Sequence, residues 1–598
     1  MAYTQENRTF RLDTTLGGET TLLERFEGRE GISEPFRLIV RFLTVKPIDM
    51  DGLLGKAASV TTQKDFADRQ VLCHGHFWII RQLAEGHDGL FAYEAELVPW
   101  LKFLELHRHC RIFHKSSVEE IVSTIFSDRG LIHYRFDLQS PLAKREYCVQ
   151  YRETDLNFVS RLLEEEGIFY FFQPAEDKHE LVLTDKKVGL PPCPGGANSQ
   201  YHPLVGGAGI SNSVFKVESR RQMHAGGVAF NDYNYETPKV SLSATLGSSP
   251  IGVLFDYPGR YGTKSDGDRY ARIRLEEQEV QFTGVTGAGS CAGFRSGHTF
   301  QLAGHSQRDL NKQYLLFRIE HRGQNQSYRA DEVSKGAEYQ NVFHAIPAAV
   351  QYRPPRSSKR AIVHGTQTAV VTGPQGQEIY TDKYGRIQVR FFWTDGAESD
   401  SCWVRVAQTW AGKNWGAVTI PRVGQEVVVD FLEGDPDRPL VIGSVYNADQ
   451  TPPYDLLANK TRSGIRSHSS TGGAVSNCNE IYFEDQMGQE VLFVQAERDN
   501  LVNVKHDRAK KIGNDETISV GHNRSASVSG NDSLSVASDR SATISNNGAI
   551  KVGAKFSIVA GEEIKLSGPG GSITIGAEGI TIQSPMLVVI QGEMVKIN

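Results

Sequence analysis

The feature that most constrains this chain is an eight-residue repeat near its end. An aliphatic or small residue returns at every eighth position from 512 to 560, at Ile512, Val520, Val528, Val536, Ile544, Val552 and Ala560. A second apolar residue stands two places before most of these, at Ile518, Ala526, Leu534, Ala542, Ile550 and Ile558. Because alternate residues of a strand share a face, each unit predicts a short strand with one apolar face. Glycine, asparagine and aspartate between the apolar pairs predict a turn in every unit.

A unit of this kind cannot be stable alone. Two buried aliphatic side chains stabilise it by less than the backbone entropy that is lost when eight residues are ordered, so the units must pack against copies of themselves. Eight residues supply one wall rather than a closed coil, which favours three chains intertwined into a prism over the alternative, a single-chain β-solenoid. The predicted trimer core is Ile512, Ile518, Val520, Val528, Leu534, Val536, Ile544, Ile550, Val552 and Ile558.

Length and charge restrict the classes of function. The 598 residues, 39% of them hydrophobic, predict several domains with real cores. A net charge of −6, without basic clusters interleaved with aromatics, argues against nucleic acid as a partner. The first ten residues lack the charge and hydropathy pattern of a signal peptide, and no run of about 18 apolar residues occurs. We therefore expect synthesis in the cytoplasm and, if the protein is secreted, export without a signal peptide. Seven scattered cysteines predict thiols rather than disulfides.

Local patterns predict a mainly β chain with inserted helices. Capping residues and apolar periodicity predict helices that begin at Ser117, run from Thr154 to Glu166, and cross Gly267 to Gln278. Five strand patterns between Ile362 and Asn447 suit a small barrel of the OB type. The predicted divisions are 1–355, two β-barrel units with helical insertions; 356–450, the OB-type barrel; 451–500, a connector with the first prism strands; and 501–598, the octad repeat.

Four long strings of the chain are specific enough to carry a family resemblance. The longest is Tyr147-Cys-Val-Gln-Tyr-Arg-Glu-Thr-Asp-Leu-Asn-Phe-Val-Ser-Arg-Leu-Leu-Glu-Glu-Glu-Gly167. The others are Asp382-Lys-Tyr-Gly-Arg-Ile-Gln-Val-Arg390, Arg422-Val-Gly-Gln-Glu-Val-Val-Val-Asp430 and Glu433-Gly-Asp-Pro-Asp-Arg-Pro-Leu-Val-Ile-Gly443. These strings resemble the VgrG family, the tip proteins of type VI secretion, and the resemblance spans essentially the whole chain.

The resemblance implies a homotrimer similar to the hub and spike of contractile phage tails. Residues 1–355 would form a gp27-like hub on a hexameric tail-tube protein, the OB barrel a collar, and the repeat an intertwined β-helix that punctures a target membrane. A PAAR-type cap protein would bind the tip at Val588, Ile590, Val595, Ile597 and Asn598, and effector proteins would be carried as cargo. The resemblance thus implies assembly in the cytoplasm followed by delivery to the extracellular space or target cell, with no cofactor and no catalytic site.

Candidate chemical sites are weak beside this interpretation. The ligand-like string Cys73-His-Gly-His76, with His107, His109, Cys110 and His114, lacks a matched second pair, so zinc is not favoured. Glu164, Glu165 and Glu166 are predicted to be solvated, as is Arg524 in the repeat, and the acidic string from Gly434 to Asp437 is predicted to be a turn. The tryptophans 393, 403, 410 and 415 favour packing over sugar stacking.

Three alternatives stay open at this point. A cell-wall glycan hydrolase would need a catalytic constellation, and none of the usual motifs occurs. A glycan-binding trimer would use the aromatic residues of the barrel. A trimeric adhesin would carry a signal peptide.

Overall fold

The computed structural model describes residues 3–6, 8–17, 20–64, 68–83, 89–203, 212–248, 251–328, 337–394 and 400–597. The chain divides into two compact units, residues 1–500 and 501–598. It is mainly β, as predicted, with four α-helices in the described ranges.

The first part of the larger unit is a six-stranded barrel. Its elements are β1 (Phe10–Thr14), β2 (Leu22–Gly31), β3 (Glu34–Thr44), the short helix α1 (Met50–Leu53), β4 (Ala57–Lys64), β5 (Asp68–Gln82) and β6 (Phe91–Val98). The strands pair in the order β1-β4-β5-β6-β3-β2. The Asn325 amide closes the ring, because it hydrogen-bonds the backbone of Phe10 and donates to the carbonyl of Leu23. Alternating residues of β3, among them Leu38, Val40 and Phe42, fill the interior.

An α/β segment follows the first barrel. Its elements are β7 (Arg108–Ser116), α2 (Val118–Asp128), β8 (Tyr134–Asp137), β9 (Arg145–Thr154), α3 (Asp155–Glu166), β10 (Phe169–Pro174) and β11 (His179–Thr184). Both predicted helix starts are confirmed: Ser117 and Glu120 form a capping box, and the Thr154 hydroxyl accepts from Asn157 N–H. Helix α3 ends at Gly167, whose φ of 70° and tight contact with Ile273 leave no room for a side chain.

The second barrel carries an insertion of its own. In chain order the elements are β12 (Asn198–Gln200), β13 (Val214–Arg221), β14 (Gly227–Phe230), β15 (Ala244–Gly247), β16 (Val253–Asp256), α4 (Lys264–Phe282), β17 (Thr283–Gly289), β18 (Thr299–Ala303), β19 (Gln313–Gln324) and β20 (Glu338–Pro347). Helix α4, the third predicted helix, covers one face of the β15-β14-β16 sheet. The barrel runs β19-β20-β17-β13, then through the Tyr201–Val214 bridge to β12, β18 and back to β19.

The two six-stranded barrels share one seam. Strand β19 pairs with β2 antiparallel, from Arg318 opposite Gly31 to Gln324 opposite Arg25. The predicted pair of β-barrel units with inserted helices is therefore observed as one continuous hydrogen-bonded body.

A five-stranded barrel comes next. Its elements are β21 (Gln367–Thr372), β22 (Gln388–Phe391), β23 (Arg405–Val406), the small hairpin β24 (Ala411–Gly412) and β25 (Trp415–Gly416), β26 (Glu426–Phe431) and β27 (Pro439–Ser444). Five strands pair in the order β22-β21-β26-β27-β23, and a bridge between Ile387 and Val404 closes the ring. Tyr147, Val149 and Tyr151 of β9 join the core of this barrel, so the barrel and the α/β segment share buried apolar surface.

Two three-stranded meanders complete the assigned strands. The first lies within residues 1–500 and consists of β28 (Arg462–Arg466), β29 (Glu480–Glu484) and β30 (Val491–Gln495). The second lies in the C-terminal unit and consists of β31 (Ile564–Gly568), β32 (Gly571–Gly576) and β33 (Gly579–Gln583). Among the described residues, the helices are too short or too polar to traverse a lipid bilayer.

Candidate functional surfaces

The octad repeat leaves its apolar residues uncovered in the single chain. The ten side chains of the predicted trimer core are all exposed, from 42% at Ile512 to 78% at Ile550. Between Gln495 and Ile564, a stretch that is fully described, the backbone forms neither helix nor strand. The chain therefore does not stack its own units as a single-chain solenoid would.

The end of the chain has the same character. Val588, Ile590, Val595 and Ile597 are exposed, and no strand is assigned to residues 584–597. Asn598, the last residue of the predicted cap-binding tip, lies outside the described residues. A row of apolar side chains without neighbours is typical of a surface that a partner covers.

A cluster of ionic side chains connects the α/β segment to the five-stranded barrel. We define the interdomain joint as Arg145, Glu165, Glu166, Arg360, Asp435 and Asp437. Arg145 donates to Glu165 Oε2 at 2.8 Å and to Glu166 Oε1 at 2.7 Å. Arg360 pairs with Glu165 and reaches Asp435 Oδ2 and Asp437 Oδ2, each at 3.3 Å. Asp437 Oδ1 also accepts the backbone N–H of Val149 at 2.7 Å.

The expectation that Glu164, Glu165 and Glu166 are solvated is wrong. Glu164 and Glu166 are 8% and 5% exposed, because the segment that holds Ser357 and Ser358 covers Glu164, and Arg145 with Arg269 and Tyr270 of α4 surrounds Glu166. Glu164 accepts hydrogen bonds from Ser357 and Ser358. The string from Gly434 to Asp437 is a turn as predicted, since Asp435 Oδ1 accepts from the N–H of Asp437, and its carboxylates also bind Arg360.

The charges of the joint shift each other's ionisation. Burial alone would raise the pKa of the Glu165 carboxyl, but Arg360, Arg145 and Arg161 outweigh it and hold that pKa well below its usual range. Burial, together with repulsion from Asp435, raises the pKa of Asp437 to about 6. The joint therefore contains one carboxylate whose ionised form is strongly stabilised, Glu165, and one whose ionised form is disfavoured, Asp437.

Sequence reasoning did not find this joint. Arg145 and Arg360 are far apart along the chain, and neither belongs to a short spaced pattern. The sequence did contain one signal, the two strings Glu164-Glu165-Glu166 and Asp435-Pro-Asp437. Each string places carboxylates close together, and once buried they require arginine partners.

The histidine string beside Cys73 belongs to a buried cluster of three histidines. His74 and His76 lie on one face of β5, next to His179 of β11, and the Nδ1 atoms of His74 and His179 are 2.9 Å apart. Among the described residues, no three histidine, cysteine or acidic side chains are grouped so as to hold a metal ion. His107, His109, Cys110 and His114 lie on and beside β7, and all seven cysteines are free thiols.

The four tryptophans divide into two pairs. Trp393 stacks on Phe391 and donates from Nε1 to Gln367, and Trp403 packs against Tyr380, so both serve packing as predicted. Trp410 and Trp415 form a T-shaped pair on the β24–β25 hairpin and are 64% and 57% exposed.

Three protein families match successive parts of the chain. Residues 29–327 match the phage tail baseplate hub (GPD) family, residues 367–446 the type VI secretion system/phage-baseplate injector OB domain, and residues 463–571 the bacteriophage T4 gp5 C-terminal trimerisation domain. The first match covers most of both six-stranded barrels, without β1, most of β2 and β20, and the third covers most of the octad repeat.

Close relatives share most of the chain. The type VI secretion system spike protein VgrG1b of Pseudomonas aeruginosa is 40% identical over 528 residues, which are 86% of this chain and 71% of the relative. Spike protein VgrG1a of the same organism is 39% identical and covers 85% of this chain and 80% of its own length. The actin cross-linking toxin VgrG1 of Vibrio cholerae is 33% identical over 84% of this chain but only 47% of the toxin, so the match covers less than half of that protein.

Solved structures agree in fold. The E. coli c3393 protein, described as a type VI secretion component similar to the T4 tail proteins gp27 and gp5, superimposes with a TM-score of 0.53 at 22% identity over 73% of this chain and all of that one. The lidless Francisella PdpA–VgrG complex gives a TM-score of 0.52 at 8% identity over 82% of this chain and 98% of that one. On this sequence similarity and fold, the chain belongs to the VgrG family of type VI secretion system spike proteins.

Proposed function

We propose that this protein acts as a homotrimeric, non-enzymatic spike that joins a tail tube to a cap and its cargo and is driven through a target membrane. Its stiffness is then its function, because a prism of strands from three chains bends only if many interchain hydrogen bonds break together. Such a protein is assembled in the cytoplasm and leaves the cell with the structure that it tips.

One observation carries the proposal. All ten apolar side chains of the predicted trimer core are at least 42% exposed in a single chain, within a region that matches a trimerisation domain. Burying about ten aliphatic side chains per chain supplies a large driving force for association, at about 1.5 to 3 kcal/mol for each fully buried side chain. We keep Ile512, Ile518, Val520, Val528, Leu534, Val536, Ile544, Ile550, Val552 and Ile558 as the proposed trimer core.

The barrels support a hub role. Two six-stranded barrels in each chain give six in a trimer, which suits a hexameric tail-tube protein beneath them. We also retain the division at residues 355, 450 and 500 as a proposal, with the hub, the collar, the connector and the spike in that order.

The partners at the other end are proposed from the exposed tip. Val588, Ile590, Val595 and Ile597 supply an apolar surface for a PAAR-type cap. One solved relative is a VgrG in complex with PdpA, which supports a proposal that effector proteins also bind to this chain. The glycan hydrolase alternative is not favoured, because VgrG1b and VgrG1a, which align with most of this chain, are both named as spike proteins.

Light scattering on the purified full chain tests the proposal. The wild type should have three times the mass of one chain, and Val536→Asp should run as a monomer, because assembly would bury three like charges near one axis. Ser535→Asp is the matched control. Ser535 is next to Val536 but faces the other side of the strand, so the trimer should persist. A monomeric wild type, or a stable Val536→Asp trimer, would rule out the proposed assembly.

A further inference from the structure

One octad position carries charges whose sign alternates along the repeat. It lies four residues after the periodic aliphatic residue in five successive units. We call these five side chains the ladder residues: Arg508, Glu516, Arg524, Asp532 and Arg540. Four of the six aspartate, glutamate, lysine and arginine residues between 512 and 543 belong to this one position, including both arginines. The next units carry Gly548, Phe556 and Ile564 there, so the position changes from charged to apolar toward the end of the chain.

The strand pattern places the ladder residues on the apolar face at the first position of each strand, directly after the turn residue, so they line the edges of the prism and not its axis. Glu516, Ile518 and Val520 alternate along one extended segment, and alternate residues of a strand share a face. The structure supplies a contact of the same kind, since Lys510 of the preceding unit forms an ion pair with Glu516. Side chains on this face of successive units thus come within ion-pairing distance even in the single chain.

Three-fold geometry turns the alternation into contacts between chains. If one octad forms one wall of a prism, each chain moves to the next wall with every unit, and symmetry places the same unit of the three chains on three different walls. The strand stacked on unit n of one chain is then unit n + 1 of a neighbour, about 4.8 Å away. Arg524 of one chain therefore lies between Glu516 and Asp532 of its two neighbours.

We infer that the ladder residues form interchain ion pairs that set the register in which the three chains wind together. The inference rests on the proposed homotrimer. Aliphatic residues alone cannot set this register, because valine or isoleucine recurs at the same position in successive units and a slip of one octad buries them equally well. The ladder opposes that slip, because it places arginine against arginine and carboxylate against carboxylate, and like charges that face each other across strands are destabilising.

Charge reversal tests the ladder. Arg524→Glu should lower the dissociation temperature of the trimer by about 5 °C or more, since each chain loses two ion pairs and gains two repulsions. A sign-inverted variant, with Arg508→Glu, Lys510→Glu, Glu516→Arg, Arg524→Glu, Asp532→Arg and Arg540→Glu, keeps the alternation and should regain most of that loss. The difference between wild type and Arg524→Glu should shrink in about 0.5 M salt, where exposed charges are screened.

Lys551→Glu is the matched control. It reverses one charge in the repeat at a position whose neighbours one octad away, Thr543 and Val559, are uncharged, so stability should change little. The ladder is overturned if the sign-inverted trimer is as unstable as Arg524→Glu, or if Arg524→Glu is as stable as the wild type. A monomeric wild type would instead overturn the proposed function, so the two failures are distinguishable by mass.

Crosslinking tests the stagger directly. Ser525 and Ser533 stand one octad apart, and the double variant Ser525→Cys/Ser533→Cys should form interchain disulfides, because neighbouring strands bring the two positions within disulfide reach. Ser525→Cys alone should not crosslink, since its copies lie on different walls. If Ser525→Cys alone crosslinked efficiently without raising the stability of the trimer, the same unit of two chains would have to lie side by side. That result would overturn the stagger.

Discussion

At the scale of single residues, the buried histidines between the first barrel and the α/β segment show that gaining one proton can destabilise the fold. The backbone N–H of Trp100 donates to Nε2 of His179, so the proton of that ring sits on Nδ1 and is donated to Nδ1 of His74. Burial, reinforced by repulsion from His76, lowers the pKa of His74 to about 4. Burial, reinforced by His74 and His76, lowers the pKa of His179 to about 2.

We predict an acid-sensitive hub. The folded-state pKa of His74 lies below its ordinary value of 6.5, so the stability it contributes is fully present above that value and is lost as the pH falls toward 4. The loss from His74 alone is about 3 kcal/mol, and the shift at His179 adds to it in the same direction. Thermal unfolding of the full chain, followed by circular dichroism from about pH 7.5 to about pH 4.5, should show this fall.

The matched variants are His74→Asn and His522→Asn. His74→Asn keeps an acceptor opposite His179 without a group that must stay neutral, so the fall should become shallower. His522 is exposed in the repeat, and its replacement should leave the pH profile unchanged. An equally steep profile for His74→Asn would contradict the assignment.

At the scale of elements, the interdomain joint holds α3 and the barrel turn together through shared charges. Glu165 is bonded to both Arg145 and Arg360, and its side chain is 20% exposed. Removing one partner from a largely buried ionic cluster leaves the others unpaired, which costs more than the pair itself contributes.

We therefore predict that Glu165→Gln lowers the free energy of unfolding by about 2 to 4 kcal/mol in urea titrations of the full chain. Glu218→Gln is the matched control, because Glu218 pairs with Lys216 at an exposed site where both side chains are more than 60% exposed. That change should stay within about 0.5 kcal/mol. Equal effects of the two substitutions would mean that the joint contributes no more than a surface pair.

The tip makes a second prediction at this scale. Deleting residues 588–598 removes none of the ten side chains of the proposed trimer core, so the protein should stay trimeric with nearly the same melting temperature. Binding to a PAAR-type cap, measured by co-purification or calorimetry, should be lost. Ser584→Ala, four residues before this segment, should retain binding. Cap binding that survives the deletion would place the cap elsewhere.

At the scale of the whole molecule, the two units owe their stability to different contacts. Residues 1–500 contain continuous apolar cores within one chain, whereas the repeat exposes its apolar residues until other chains cover them. A unit held together by association gains stability with protein concentration, and a self-contained unit does not.

Differential scanning calorimetry should accordingly resolve two transitions. We expect only the one that belongs to the repeat to move to higher temperature when the protein is concentrated tenfold, by mass action. Val536→Asp should abolish that transition and leave the other near its wild-type temperature. A single transition that is independent of concentration would contradict the separation of the two units.

Much of the fold follows from local pattern. The capping residues at Ser117 and Thr154 determine where two helices begin, and the alternation in β22 and β26 determines the strands of the five-stranded barrel, because these signals act between residues that are close in sequence. The octad is also a signal within the sequence, and its period alone predicts that the repeat associates with copies of itself.

Only the tertiary structure decided what covers each surface. The sequence predicts a solvated Glu165, because its partners, Arg145 and Arg360, are 20 and 195 residues away along the chain. The closure of each barrel likewise depends on distant contacts, such as Asn325 with Phe10 and the pairing of β2 with β19. The sequence by itself determined that the repeat must associate, because that effect is periodic. It also determined where helices and strands in the rest of the chain begin, because those signals are local. Burial and ion pairing were decided by the tertiary structure, because they depend on segments that meet only when the chain has folded.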